Sequence, residues 1–124
     1  MKLLPRASDP SQVGHFPVTH SGGGYFFDEV LEYRVWVHHP RGGDDSYFSF
    51  ASYEEALAFA ADKPGAEEPL VLVLQNEWVD APLPGEFIHK NGERLTEWRV
   101  EWLKGSKRAP DSIDRFLRER GTHR

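Results

Sequence analysis

Two stretches of this chain alternate apolar and polar side chains residue by residue, and that rhythm restricts the fold more than any other feature. In VLEYRVWVH, residues 30–38, Leu31, Tyr33, Val35 and Val37 interleave with Glu32, Arg34, Trp36 and His38. In TEWRVEW, residues 96–102, Thr96, Trp98, Val100 and Trp102 interleave with Glu97, Arg99 and Glu101. A period of two belongs to extended strands, whose successive side chains point to opposite faces. Each stretch therefore predicts a strand with one buried face. The row Glu97, Arg99, Glu101 reads as a solvated face carrying charges of alternating sign.

The remaining elements follow from local signals. HPRGGDD is a turn by composition, and SYFSF after it is a second short strand, so residues 29–50 predict a hairpin with a long loop. Ser52-Tyr53-Glu54-Glu55 fits a capping box, with Ser at the N-cap and Glu three residues on. Ala56, Leu57, Phe59 and Ala60 continue at helical spacing until Lys63-Pro64-Gly65 breaks it, which predicts a helix over 53–62. LVLVLQNEWV, 70–79, is apolar on both faces at its start and suits a central strand. Asn91-Gly92 predicts a two-residue hairpin turn that pairs Lys90 with Glu93, His89 with Arg94 and Ile88 with Leu95. Asp111 or Ser112 caps a last helix with Ile113, Phe116 and Leu117 as its apolar stripe.

The order is thus ββαβββα. It defines an α+β fold, a largely antiparallel sheet of about five strands with two helices over one face. Residues 1–24 are rich in Pro, Gly, Ser and His and have no periodicity. They form an irregular N-terminal arm ending in the flexible run Ser21-Gly22-Gly23-Gly24, ahead of a single α+β domain over 25–124.

Composition narrows the function. A chain of 124 residues fits one domain with one core. The absence of cysteine removes disulfides, thiolate metal sites and cysteine nucleophiles, and it suits a cytoplasmic protein. A formal charge of −5 opposes a phosphate-tracking surface, so no nucleic-acid partner is expected. No apolar run approaches the roughly 18 residues of a membrane span, and MKLLPRASDP lacks the apolar stretch of a signal peptide.

The most suggestive chemistry lies in HHPRGGDDSYFSF, residues 38–50. Arg41-Gly42-Gly43-Asp44-Asp45 resembles the GGDEF signature of diguanylate cyclases over five residues. Asp45-Ser46 replaces the final Glu-Phe, and the preceding aspartate strand and nucleotide-binding helix are missing. The simpler reading gives the glycines positive φ and lets the aspartates bond the backbone of a turn. His38 and His39 with Asp44, Asp45 and His89 offer metal-type ligands, yet neighbours in a strand point apart, so no metal is expected. The carboxylates of Glu67, Glu68, Glu77 and Asp80 carry no sign of desolvation. Trp36, Trp78, Trp98 and Trp102 can line an aromatic cleft, though indoles beneath an alanine-rich helix are ordinary packing. Lys104, Lys107 and Arg108 with Gly105 and Ser106 make a basic loop that can hold a phosphate, without a P-loop motif. The ligand-binding candidates are His38, Arg41, Asp44, Asp45 and Lys107.

The segments VWVHH, GGDDSYFSFASYEEALAFA, GAEEPLVLVLQ and TEWRVEWLKGSKR, spread between Tyr33 and Leu117, are similar to a small bacterial protein family of uncharacterised function. That family carries labels of GNAT-type acetyltransferase. The resemblance implies acetyl-CoA-dependent acyl transfer, with the cofactor's pyrophosphate held in a Q/R-x-x-G-x-G/A turn. Arg41-Gly42-Gly43 and Lys104-Gly105 are spaced differently, and no catalytic residue is carried over. Two functional expectations result. The first is a small cytoplasmic binding or interaction protein, its partner a small molecule or another protein. In that case a homodimer would cover the sheet face that the helices leave open. The second is an acyl transferase.

Overall fold

The computed structural model describes residues 4–19 and 24–120. One antiparallel sheet has the strand order β2-β1-β3-β4. Its strands are β1 Glu29–Val37, β2 Ser46–Phe50, β3 Leu70–Leu83 and β4 Glu86–Arg99. The helices α1 Tyr53–Asp62 and α2 Ser112–Glu119 complete an α+β fold. β1 and α1 arise where the alternation and the cap place them. Ser52 Oγ accepts the Glu55 amide at 3.2 Å, and its hydroxyl donates to Glu55 Oε1 at 2.8 Å. At α2 the two candidate caps do other work: Asp111 pairs with Arg115, and Ser112 Oγ accepts the Ala109 amide.

The sheet has four strands rather than five, and the order is ββαββα. Asn91-Gly92 is not a turn. The chain reverses after Leu83, at Pro84-Gly85, and β4 runs on through 91 and 92. Lys90 pairs with Trp78, His89 with Val79 and Ile88 with Asp80. Between Gln75↔Arg94 and Glu77↔Asn91 the register takes one more residue from β4 than from β3. That extra residue is a bulge, and Gly92 at φ +125° supplies the backbone freedom it needs. A ladder between two 14-residue strands overrides the turn preference of one dipeptide.

β4 stops at Arg99, and Val100–Leu103 winds into a 3-10 helix. Its three-residue period brings Val100 and Leu103 to the same, buried side. Trp102 therefore departs from the expected strand face: it is 42% exposed while Trp98 is 1% exposed.

The largest correction concerns the second face of the sheet. Tyr33, Val35 and Val37 join Val71, Val73 and Trp98 in a core beneath α1, to which Ala56, Phe59 and Ala60 contribute. A smaller cluster of Val79, Phe87, Ile113 and Phe116 seats α2 on the far part of the β3–β4 hairpin. On the opposite face, however, Glu32, Arg34 and Glu97 are also buried, so the expected solvated row does not exist at Glu97. Arg34 donates to Glu32 at 2.7 Å, to Glu97 at 2.9 Å and to the Pro17 carbonyl at 2.8 Å. Its guanidinium lies 4.4 Å from the Tyr47 ring centroid. Glu32 also accepts from Gly14 N–H and Ser49 Oγ, both at 2.8 Å, and Glu97 accepts from the Trp36 indole. Burial works against the Arg34 charge, but the two carboxylates outweigh it and hold the guanidinium more firmly protonated than usual.

The cover is the N-terminal arm. β2 is only five residues long, so β1 keeps a free edge beyond it. There Ser8 N–H donates to Val30 O at 2.9 Å, and Ala7 N–H to Ala51 O at 2.8 Å. The start of the arm lies on the helical side, where Leu4 packs on the core and the Tyr33 hydroxyl donates to Pro5 O. Residues 14–17 lie on the polar side. One segment thus straddles the sheet, and the reason for placing a second subunit there falls away over β1. Ser21-Gly22-Gly23 lies outside the described residues. No helix among the described residues is long and apolar enough to cross a membrane.

Candidate functional site

The short β2, the arm and the 3-10 helix together leave a cleft of about 920 Å³. Leu4, Pro5, Arg6 and Ser8 form its arm side. Glu29 and Val30 rise from the start of β1, Phe27 comes from just before it, and Tyr53 from the first turn of α1. Val100, Glu101, Leu103, Lys104, Gly105 and Lys107 close the third side. The cleft exists because the chain leaves the sheet at Arg99: the 3-10 helix bends away and returns as residues 106–108 beside Phe27. Phe27 N–H donates to Ser106 O at 3.0 Å, and Arg108 N–H to Phe27 O at 2.9 Å. That short parallel bridge fixes Lys107 at the rim.

The floor is apolar and the rim is charged. Phe27, Val30, Val100 and Leu103 are buried. Of the rim carboxylates, Glu29 accepts from Ser8 Oγ at 2.8 Å and Glu101 pairs with Arg99. The rim cations are less engaged. Arg6 reaches Glu55 only at 3.9 Å, and Lys107 donates to the backbone carbonyl of Asp28, with its ammonium 5.5 Å from the Phe27 ring centroid. Lys104 forms no ion pair among the described residues. None of the four tryptophans lines the cleft.

Arg108, the third member of the basic loop, faces elsewhere. It donates to Asp28 Oδ1 and to Glu77 Oε2, both at 2.6 Å. Glu77 Oε1 lies 2.9 Å from His89 Nε2, and Asp28 Oδ2 accepts the Asn76 amide. The hollow beside this chain of charges measures about 40 Å³, room for water rather than for a substrate. Its work is to clamp the 104–111 segment onto β1 and β3.

The histidine loop is a third, separate place. His38 Nδ1 lies 2.9 Å from Asp45 Oδ1, and its Nε2 meets Glu67. Asp45 foremost, then Glu67, pushes the imidazole above its ordinary range. Both ring nitrogens face carboxylates, an arrangement that favours the doubly protonated ring. Arg41 and Asp44 are exposed in the same loop, where Gly42 and Gly43 adopt positive φ and Gly42 N–H closes a turn onto His39 O at 3.0 Å. Among the described residues no three His, Asp or Glu side chains gather as a metal cage.

The five ligand-binding candidates are therefore divided. His38 and Asp45 meet, Arg41 and Asp44 share their loop, and Lys107 stands beside Asp28 at the other end of β1. Ten residues of extended chain separate the two ends, roughly 30 Å. Sequence reasoning missed the arm side of the cleft and Tyr53. Apart from Leu4-Pro5, an apolar residue before a rigid one, the arm offers no local signal. No protein-family model, curated protein or solved structure matches the chain.

Proposed function

We propose that this protein binds a small molecule in the cleft between the N-terminal arm and the 100–107 segment. One observation carries the reading: a cleft of about 920 Å³ over a buried apolar floor. Ligand sites typically span roughly 300–1,000 Å³ and combine apolar walls with a few polar groups, which is the composition here. A neutral solvatochromic dye such as Nile red is expected to bind saturably with one equivalent per chain. Ser8→Trp, at an exposed lining residue, is expected to weaken that binding at least tenfold while the circular dichroism melt stays cooperative. Binding without saturation, or unchanged in both Ser8→Trp and Tyr53→Ala, would count against the reading.

A second reading is favoured by the cationic rim. Arg6, Lys104 and Lys107 match a phosphate-bearing cofactor, as the acetyl-CoA-dependent transfer implied by the resemblance requires. Acetyl-CoA at millimolar concentration is its probe. A ligand of the folded state at a hundredfold excess over its dissociation constant stabilises by about 2.7 kcal/mol, and a melting temperature that does not move removes this reading.

A further inference from the structure

We infer that the cleft takes an amphipathic anion, with a carboxylate or phosphate head between Lys104 and Lys107 and an apolar body over Phe27, Val30 and Leu103. The inference rests on the cleft being the binding site. Its first support is an imbalance of partners. The lining residues include three cations and two carboxylates, and both carboxylates are occupied, Glu29 by the Ser8 hydroxyl and Glu101 by Arg99. Among the described residues the two lysines have no counter-charge. Lys107 is bonded to a backbone carbonyl, and the adjacent Asp28 carboxylate is taken by Arg108 and the Asn76 amide. Lys104 has no ion-pair partner among the described residues.

The second support is space. Gly105 lies between the two lysines in sequence at φ +74°, and apart from its chain neighbours a Cβ there would meet nothing within 4 Å. A head group placed over this open stretch shares its cleft wall with both lysines. The third support is the floor. Phe27, Val30 and Leu103 are apolar and buried, and an anion beside such a surface interacts with a cation more strongly than in open water. A cationic or purely polar ligand would leave the lysines uncompensated. A macromolecular polyanion is disfavoured by the chain's net charge of −5.

The test compares ligands of one chain length by competition with Nile red: dodecanoate, dodecyl phosphate, dodecanol and dodecylammonium. Both anions, or one of them, are expected to bind at least tenfold more tightly than the alcohol, with the ammonium weakest. Which anion binds tighter tells a fatty-acid-like from a phosphate-ester source. In Lys104→Met/Lys107→Met, checked for an unchanged melt, the ratio of anion to alcohol affinity is expected to fall to about one. Equal binding of anion and alcohol by the native protein overturns the inference, and so does an undiminished ratio in the double variant. In either case dye binding that Ser8→Trp blocks leaves the cleft reading standing. Absence of saturable dye binding overturns both.

Discussion

The ionic state of two side chains is set by the carboxylates that flank them. His38 is held between Asp45 and Glu67, and its raised pKa fixes the direction of its pH dependence. The folded form favours the proton. The contribution is therefore complete below the unfolded value of about 6.5 and disappears as pH rises through the higher folded value. Proton NMR is expected to place the His38 midpoint above about 6.5. Asp45→Asn should bring it back further than Glu67→Gln, following the order of the two causes. A midpoint at or below the unfolded value would contradict the pairing. Arg34 is the stronger case because it is fully buried. Arg34→Met leaves Glu32 and Glu97 facing each other without their cation, at an expected cost of roughly 3–5 kcal/mol in urea denaturation. A loss below about 1 kcal/mol would mean that the network contributes no more than an exposed pair.

Elements succeed or fail according to whether their signals are local. Gly65 shows a local requirement that is not written in a motif. It sits at φ +82°, its carbonyl accepts the His38 amide at 2.8 Å, and a Cβ would come within 2.2 Å of the His38 carbonyl oxygen. Gly65→Ala is expected to destabilise by more than 1 kcal/mol, on the order of several times the effect of Gly43→Ala, where φ is also positive but nothing lies within 4 Å. Thermal melts of the two variants check the difference, and equal losses would remove the steric part of the argument. α1 was legible because its cap and its breaker are both contained in a dozen residues. β1 was legible because alternation needs no partner. β4 was misread because Asn91-Gly92 states only what it does in isolation, whereas Glu77, Trp78, Val79 and Asp80 on β3 supply the partners of Asn91, Lys90, His89 and Ile88. Beyond Arg99 the apolar positions alternate as before, and nothing in them tells a strand from a 3-10 helix until Val100 and Leu103 are seen to need the same side.

At the scale of the whole molecule, the site was the least legible part. The basic loop was visible in the sequence, and two of its three cations do line the cleft. The opposite side was invisible, because an arm of Pro, Gly and Ser has no period and its contacts are distant: Pro5 with Tyr33, Gly14 with Glu32, Pro17 with Arg34. Glu97 was read as solvated for the same reason, since what buries it comes from elsewhere in the chain. The arm that straddles the sheet also bears on the order of assembly. The arm is synthesised before the strands it covers, yet its anchor Arg34 is not fully satisfied until Glu97 has been made, so the arm settles only after strands that follow it in the chain. Contacts of such long sequence separation slow folding, and the nascent chain must keep the polar flank of its sheet wet until the arm returns to close it.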